Sequence, residues 1–261
     1  MRLWVISDLH LESTRGWDLP GPGERPPFDV LVVAGDLIPK AERGVKWLLQ
    51  RVTDRPVIMV AGNHEFYGCD IDRTVEKTRA LAAGSNVHVL QNDAVTIAGV
   101  TFIGATFWTD FALFGDPVRA MAAAAEYMND YRKIRLGRYV YRLRPSHTLA
   151  RHKESRAFIA AELSKPRTGA RVVVTHMAPH PSAIHSAFDE EITSAAYASD
   201  CSDLMGMGVD AWIHGHTHST YDRQVAGAAR LVTNAKGYGP WPPKQRVWDN
   251  NDFDPKFVIE I

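Results

Sequence analysis

The residues best suited to chemistry lie in short polar clusters, and each cluster directly follows an apolar run. Their carboxylate, amide and imidazole groups are ligands for borderline divalent metals such as Mn, Fe, Ni and Zn. No cysteine belongs to the set, which argues against a structural zinc site. The set exceeds the needs of one ion and indicates two ions sharing a carboxylate, an arrangement used to hydrolyse phosphoryl esters. The candidates are Asp8, His10, Asp36, Asn63, His64, His176, His216 and His218.

The elements that must position these side chains are short strands that alternate with helices. This alternation predicts a layered α/β fold, and in such sheets ligands bind at the carboxyl ends of the strands. We therefore expect the candidate ligands to converge in space although they are far apart in sequence. A hairpin is predicted at 95–105. Helices are predicted at 41–52, 72–83 and 150–164, and a weaker one at 195–207.

Composition narrows the class of protein. The chain has 261 residues, is 45% hydrophobic and carries 30 basic and 30 acidic residues, so it has no global charge that favours nucleic acid or an anionic membrane. Its beginning does not resemble a signal peptide, and no segment approaches the length of a membrane span. Cys69 and Cys201 are expected to be reduced thiols in a cytoplasmic protein. Surface loops are predicted at 20–27 and 241–245.

One basic segment interrupts the alternation of strands and helices. No acidic residue occurs between Tyr131 and Lys153, and tyrosines are interleaved with the cations. Two interpretations stay open, a solvated basic helix and a lid or rim that attracts an anionic substrate. We expect a helical, basic lid insertion at about 112–149, in which Arg135 and Arg138 are candidate substrate contacts.

The clusters together resemble the signature of the calcineurin-like metallophosphoesterases. The motifs occur in the order of that family, each at a predicted strand end. The resemblance implies one domain over 1–261, an α/β fold with a four-layer αββα sandwich of two mixed β-sheets flanked by helices. The matching blocks are Asp8-x-His10, Gly35-Asp36, Gly62-Asn63-His64-Glu65, Thr175-His176 and Gly215-His216-x-His218.

The same resemblance implies a role for each matched residue. Asp36 would bridge two divalent ions, whose identity among Mn, Fe, Zn and Ni stays open. His64 would not be a ligand but would protonate or stabilise the leaving oxygen, while a hydroxide bridging the ions attacks the ester. The first ion would be held by Asp8, His10 and His218, and the second by Asn63, His176 and His216.

Other residues near the motifs are expected to support the site. Glu65 is interpreted as support through hydrogen bonds, and His180 as a possible substrate contact. His214 fits a core or supporting histidine. Asn234-x-x-Gly237-Tyr238 resembles a late motif of some relatives and is expected to support the floor of the site. Many relatives carry an aspartate three residues after the bridging one, where it pairs with the catalytic histidine, but here that position is Pro39. The sequence therefore does not show what orients His64.

These observations favour a phosphodiesterase that acts on a small-molecule phosphate ester. No arginine lies within or directly beside the motifs, and monoesters usually need dedicated cations next to the metals. A phosphomonoesterase or nuclease of the same family is the alternative, although the neutral net charge argues against long nucleic acid. A non-catalytic scaffold is a further alternative, which the complete ligand set disfavours. The oligomeric state stays open.

Overall fold

Two mixed sheets pack against each other between outer layers of helices in the computed structural model of the chain. The structure describes residues 1–14, 16–225, 227, 229–240 and 247–261. The surface loop predicted at 241–245 lies outside these described residues. Within them, none of the helices combines the length and apolar character needed to cross a membrane.

The first half of the chain forms β1 (Arg2–Ile6), β2 (Val30–Ala34), α1 (Ala41–Arg51), β3 (Val57–Val60), α2 (Ile71–Ala82), β4 (Val87–Val89), β5 (Asp93–Ile97), β6 (Val100–Ala105), α3 (Pro117–Tyr127) and α4 (Asp130–Lys133). The second half forms β7 (Arg135–Leu136), β8 (Tyr141–Arg142), α5 (Pro145–Ser164), β9 (Ala170–Thr175), α6 (Ser202–Met205), β10 (Ala211–His214), β11 (Thr220–Gln224), β12 (Arg230–Asn234) and β13 (Val258–Glu260).

Both large sheets combine parallel central strands with antiparallel edges. The first has the order β13-β1-β2-β3-β4, in which β13 runs antiparallel to β1 and the other pairs are parallel. The second has the order β11-β12-β10-β9-β6-β5, in which both edge pairs are antiparallel. The predicted fold class of two mixed sheets flanked by helices is confirmed.

Alternate side chains of the central strands explain the layers. In β2, Val30 and Val32 face the second sheet, whereas Leu31 and Val33 face the other way, toward Val45 and Leu48 of α1. A strand covered on both faces is apolar along its whole length, as this one is. The second sheet repeats the pattern, because its outer face packs on α5 and α6. These buried layers hold the strand ends in fixed relative positions.

The predicted elements agree with the structure in the first half of the chain more closely than in the second. Helices α1 and α2 differ from their predicted ranges by one residue, and the hairpin turns at Ala98 and Gly99, which both have positive φ angles. Such a two-residue turn matches the twist of the flanking strands. Helix α5 begins five residues before the predicted start, and 195–207 contains only the end of a short 3₁₀ helix and α6.

The segment between β6 and α5 is a small subdomain rather than one basic helix. It contains α3, the four-residue α4 and the β7–β8 hairpin. Tyr131, Ile134 and Leu143 are buried in it and belong to the same apolar cluster as Phe66 and Trp108. Its cations lie on a folded structure that is attached to the main body through this cluster.

Candidate metal centre

The loops that follow β1, β2, β3, β9 and β10 bring the candidate ligands to one edge of the paired sheets. Asp8, Asp36 and Asn63 come from the first sheet, whereas His176 and His216 come from the second. The candidate ligand atoms of Asp8, His10 and His218 lie within 4.8 Å of one another, as do those of Asp36, His176 and His216. The carboxyl ends of the strands therefore meet as the sequence predicts.

Asp8, His10 and His218 form the first group. Nε2 of His10 lies 3.2 Å from Nε2 of His218, which in turn lies 3.5 Å from Oδ1 of Asp8. Burial lowers the pKa of His10, which favours the neutral ring that a metal ligand must have. The three side chains thus present two ring nitrogens and a carboxylate oxygen to one point.

Asn63, His176 and His216 form the second group. The amide oxygen of Asn63 lies 3.0 Å from Nε2 of His176. Burial holds the pKa of His216 well below its ordinary value, and Nε2 of this ring is buried with no hydrogen-bond partner among the described residues. A buried polar atom without a partner is costly, and a bound cation would satisfy it. The donor set of this group therefore suits a divalent metal ion.

Asp36 lies between the two groups. Its Oδ1 is 3.5 Å from Nε2 of His176, and its Oδ2 is 3.8 Å from Nε2 of His10. Each oxygen of one buried carboxylate thus faces a different set of ligands.

The backbone at these positions is unusual. Several of the candidate ligands have left-handed φ angles, which are uncommon outside glycine but several-fold enriched in Asp, Asn and His. Such conformations cost free energy and cluster at functional sites, where the surrounding structure holds them. The residues are Asp8 (52°), His10 (44°), Asp36 (52°), His216 (69°) and His218 (46°).

Glycines in the motifs make room for the ligands. A Cβ on Gly62 would lie 2.1 Å from Oδ1 of Asp36, and a Cβ on Gly215 would lie 2.5 Å from Oδ2 of Asp8. Neither glycine has a positive φ angle, so close approach of the carboxylate, rather than a bend of the backbone, requires the missing side chain. In both cases a glycine that follows one strand leaves room for a candidate ligand that follows another strand.

His64 lies beside both groups and is held at both ring nitrogens. Its Nδ1 is 2.9 Å from Oε1 of Glu12, and its Nε2 is 2.9 Å from the hydroxyl of Tyr238. Burial alone would lower the pKa of His64, but the carboxylates of Asp36 and Glu12 outweigh burial and raise it. Glu12 is not among the site residues predicted from the sequence. Tyr238 was predicted only as part of a motif that supports the floor of the site.

Glu65 supports the loops rather than any imidazole. Its buried carboxylate accepts hydrogen bonds from the backbone N–H groups of Asp36, Leu37, Ile38 and Gly62, at 2.7–3.2 Å. Burial and the nearby Asp36 carboxylate raise the pKa of Glu65 to about 7. The side chain ties the loop after β2 to the loop after β3, which fits the predicted supporting role.

Asp130 is a further buried carboxylate that the sequence analysis missed. Its Oδ1 accepts hydrogen bonds from Nδ2 of Asn63 at 2.8 Å and from the hydroxyl of Tyr67 at 2.7 Å. Burial raises the pKa of Asp130. Asp130 is the last acidic residue before the long basic segment, but no local pattern in the sequence indicates its contact with Asn63.

A cleft of about 900 Å³ opens beside the second group of ligands. Asp36, Asn63, His216 and His218 lie in its wall, and the ring of Tyr197 stacks on His216 with centroids 4.5 Å apart. Aromatic and acidic side chains continue the wall, and no arginine or lysine of the described residues belongs to it. These side chains are Tyr67, Tyr127, Asp130, Phe188, Glu191 and Tyr238.

The predicted substrate contacts do not line this cleft. Arg135 pairs with Arg142 in the β7–β8 hairpin, and Arg138 is exposed near the turn of that hairpin. Nδ1 of His180 lies 2.8 Å from the hydroxyl of Ser182. Contact of these three side chains with a substrate stays a prediction.

His214 and Asn234 lie behind the ligands. His214 is fully buried, and its Nε2 lies 2.7 Å from the hydroxyl of Tyr221. Nδ2 of Asn234 donates to the carbonyl oxygens of Val5 and Asp254, which joins β12 to β1 below the site. Both fit the supporting positions expected from the sequence.

Comparison with known proteins agrees with this geometry. Residues 1–220 match the sequence profile of the calcineurin-like phosphoesterases. An uncharacterized protein of Acanthamoeba polyphaga mimivirus is 23% identical over 288 residues, which cover 99% of this chain and 96% of the viral protein.

Two solved structures share the fold. The phosphopantetheinyl hydrolase of Mycobacterium tuberculosis superposes with a TM-score of 0.66 at 20% identity, covering 90% of this chain and 89% of its own. A dimetal phosphatase from Danio rerio superposes with a TM-score of 0.51 at 13% identity, covering 89% of this chain and 86% of its own. At these identities the likeness establishes the architecture.

Proposed function

Because this chain belongs to the calcineurin-like phosphoesterase family and is a metal-dependent hydrolase of phosphate esters, we propose that it is a dinuclear phosphodiesterase. The observation that carries the proposal is the position of Asp36. Its two oxygens face Nε2 of His176 at 3.5 Å and Nε2 of His10 at 3.8 Å. A carboxylate shared in this way suits two cations that it would bridge.

In this proposal each group of side chains holds one divalent cation, of Mn, Fe, Zn or Ni. Asp8, His10 and His218 would hold the first, and Asn63, His176 and His216 would hold the second, with Asp36 common to both. Two such cations activate water for attack and neutralise charge on the phosphoryl oxygens. The orphaned Nε2 of His216 supports this assignment.

His64 would act on the leaving group. Its Nε2 lies 3.9 Å from Oδ2 of Asp36 and 2.9 Å from the hydroxyl of Tyr238, beside the ligand clusters. A proton held there can pass to the ester oxygen as the bond to phosphorus breaks. The carboxylates that raise the pKa of His64 keep that proton available near neutral pH.

The character of the cleft supports a diester substrate. A monoester carries more negative charge at neutral pH than a diester, and the described wall of the cleft contains the acidic residues Asp130 and Glu191 but no arginine or lysine. The single charge of a diester can be matched by the two metal ions. We expect a small-molecule ester with an organic group that packs on the aromatic wall. A phosphomonoesterase or a nuclease stays the alternative.

The cysteines support a reducing, cytoplasmic location. Cys69 and Cys201 are both buried free thiols. Burial raises the pKa of Cys201 to about 12, which keeps this thiol protonated and unreactive.

A direct test combines metal analysis with turnover. Protein stripped with chelator and reloaded with Mn²⁺ should bind two ions per chain and cleave bis(4-nitrophenyl) phosphate with a higher kcat/KM than 4-nitrophenyl phosphate. Asp36→Asn should weaken the binding of both ions. The control variant Asp54→Asn, which changes an exposed surface residue, should bind metal and cleave ester as the wild type does. A stoichiometry that stays at one ion would refute the dinuclear site. A monoester preference of tenfold, about 1.4 kcal/mol in transition-state binding, would refute the substrate class.

A further inference from the structure

Glu12 lies where two functional imidazoles meet, in the loop after β1. A single oxygen of its carboxylate, Oε1, is 2.9 Å from Nδ1 of His64 and 3.4 Å from Nδ1 of His10. One oxygen atom therefore contacts both the proposed leaving-group acid and a proposed ligand of the first metal. The motifs that identify the family do not include this residue.

Other carboxylates near His64 are committed elsewhere. Glu65 accepts backbone hydrogen bonds from the loops after β2 and β3, and Asp36 faces Nε2 of His64 rather than Nδ1. Pro39 stands where relatives often carry the aspartate that pairs with this histidine, and it has no carboxylate. Within the described part of the chain, Glu12 is the carboxylate that contacts Nδ1 of His64.

The loop that carries Glu12 is fixed by its backbone. The N–H groups of His10 and Leu11 donate to the carbonyl oxygens of Asp36 and Leu37, both at 3.0 Å, and Ser13 closes a turn onto the carbonyl of His10 at 2.8 Å. The position of Glu12 is thus set by the loop after β2, which also carries the shared carboxylate Asp36. A group held in this way loses little further freedom when it orients a neighbour.

We propose that Glu12 is a positioning residue that sets the tautomers of His64 and His10, an inference that rests on the proposed function. A carboxylate accepts hydrogen bonds, so it favours a proton on Nδ1 of each ring. Nε2 of His64 then points at the hydroxyl of Tyr238, and Nε2 of His10 points at Nε2 of His218. Glu12 thus serves in place of the aspartate that relatives often carry at the position of Pro39. Its Oε1 contacts both the proposed acid, His64, and the proposed metal ligand, His10.

The kinetic test uses aryl phosphodiesters with good and poor leaving groups. Glu12→Ala should lose about 10- to 100-fold in kcat for the poor leaving group, as outer-shell changes at metal sites do. It should lose less than about threefold for 4-nitrophenolate, which needs little protonation. Glu12→Gln keeps an acceptor and should recover part of the loss. Glu24→Ala, which removes an exposed carboxylate from the same β1–β2 connection, should change neither rate.

A double variant separates positioning from a general structural role. If Glu12 acts through His64, then Glu12→Ala combined with His64→Ala should be no slower than His64→Ala alone on the poor leaving group. In variants that keep both metal ions, multiplied losses, or equal losses on good and poor leaving groups, would overturn the proposal. Metal content is measured in every variant, since loss of the first ion would lower all rates equally.

A readout independent of turnover comes from the imidazole nitrogens. In zinc-loaded protein labelled with ¹⁵N-histidine, measured at a pH high enough for the His64 ring to be neutral, the His64 signals, assigned by comparison with His64→Gln, should show the proton on Nδ1. Glu12→Ala should shift this distribution toward Nε2. An unchanged tautomer in Glu12→Ala would overturn the proposal even if activity falls. A wild-type protein that binds metal and cleaves no ester would refute the proposed function, while the NMR result would still decide the role of Glu12.

Discussion

Asp130 of the insertion accepts a hydrogen bond from Nδ2 of Asn63 at 2.8 Å, and this contact directs the amide oxygen of Asn63 toward His176. The amide of Asn63 has one oxygen and one nitrogen to present, so fixing the nitrogen also fixes the oxygen. The segment between β6 and α5 therefore reaches the second ligand group through a buried carboxylate, although most of its charged residues are cations.

Replacing Asp130 should weaken the binding of the second metal ion. Asp130→Ala frees the amide of Asn63 to rotate and leaves the hydroxyl of Tyr67 without its acceptor. We expect the affinity for the second ion to fall about 10- to 100-fold, the range for outer-shell partners of metal ligands, while the first ion is retained. Isothermal titration calorimetry of chelator-treated protein with Mn²⁺ measures both affinities.

Two further variants make this test specific. Asp130→Asn keeps an oxygen that can accept from Asn63 and should lose less affinity than Asp130→Ala. Glu126→Gln changes an exposed carboxylate of the same insertion and should bind both ions as the wild type does. Equal weakening of both ions in Asp130→Ala would indicate a general loss of structure and contradict the assignment.

Gly62 should not tolerate even a methyl group. The Cβ of alanine would lie 2.1 Å from Oδ1 and 2.6 Å from the backbone nitrogen of Asp36, so the carboxylate of Asp36 must move. We expect Gly62→Ala to weaken both metal ions and to lower the free energy of unfolding by about 1–3 kcal/mol, as overpacking does. Metal content and urea denaturation measure the two effects. Gly21→Ala has open space around the added carbon and should be neutral, and a neutral Gly62→Ala would refute the close approach.

Sequence alone brought the candidate ligands together because each follows a strand. Asp36 comes two residues after β2 and His176 directly after β9. Parallel strands of each sheet present their carboxyl ends together, and the packing of the two sheets brings both sets to one edge. Glu12 and Asp130 escaped this reasoning for different reasons. Glu12 lies two residues after His10 and could have been noticed as a neighbouring carboxylate. Asp130 reaches Asn63 only because the insertion packs on Phe66 and Trp108, and no local pattern encodes that packing.

The sequence predicted those strands and helices whose apolar residues form a clear pattern. Strands buried on both faces, such as Val30–Ala34, are apolar throughout and stand out. The first turn of α5 was missed because its residues are mostly polar, yet Pro145 at its start is a typical first helical residue. The β7–β8 hairpin was also missed, since its two-residue strands contain mainly arginine, leucine and tyrosine and have no alternation to detect.

Metal binding should stabilise the fold. The clusters hold buried carboxylates and the unpartnered Nε2 of His216, groups that a cation satisfies only in the folded chain. At a concentration 100 times Kd, one ion contributes about 2.7 kcal/mol, so Mn²⁺ should raise the Tm of chelator-treated protein by roughly 5–10 °C. His216→Ala should reduce this rise, and His185→Ala, an exposed histidine outside the clusters, should not. A Tm that does not respond to Mn²⁺, Zn²⁺, Ni²⁺ or Fe²⁺ would contradict the site.

Stability should also fall on mild acidification because of His152, which lies far from the ligand clusters in sequence. Its ring is buried, with Nδ1 2.6 Å from the carbonyl oxygen of Trp108, and burial lowers its pKa from the ordinary 6.5. The unfolded chain binds a proton at the ordinary pKa, so below about pH 6.5 it takes up more protons than the folded chain. The contribution of His152 to folding stability is therefore complete above pH 6.5 and decreases as the pH falls toward the lowered pKa.

The variant His152→Gln removes this titration and keeps an N–H that can donate to Trp108. Its free energy of unfolding, compared with that of the wild type, should differ by a constant above pH 7. Below about pH 6.5 the free energy of unfolding of the wild type should fall relative to that of the variant. The difference should change by up to ~1.4 kcal/mol per pH unit, the limit for one proton. Urea denaturation between pH 7.5 and 5.5 with chelator present measures this, since metal-free protein excludes competition between protons and metal ions. Parallel stability curves for the two proteins would show that His152 titrates alike in the folded and unfolded chains.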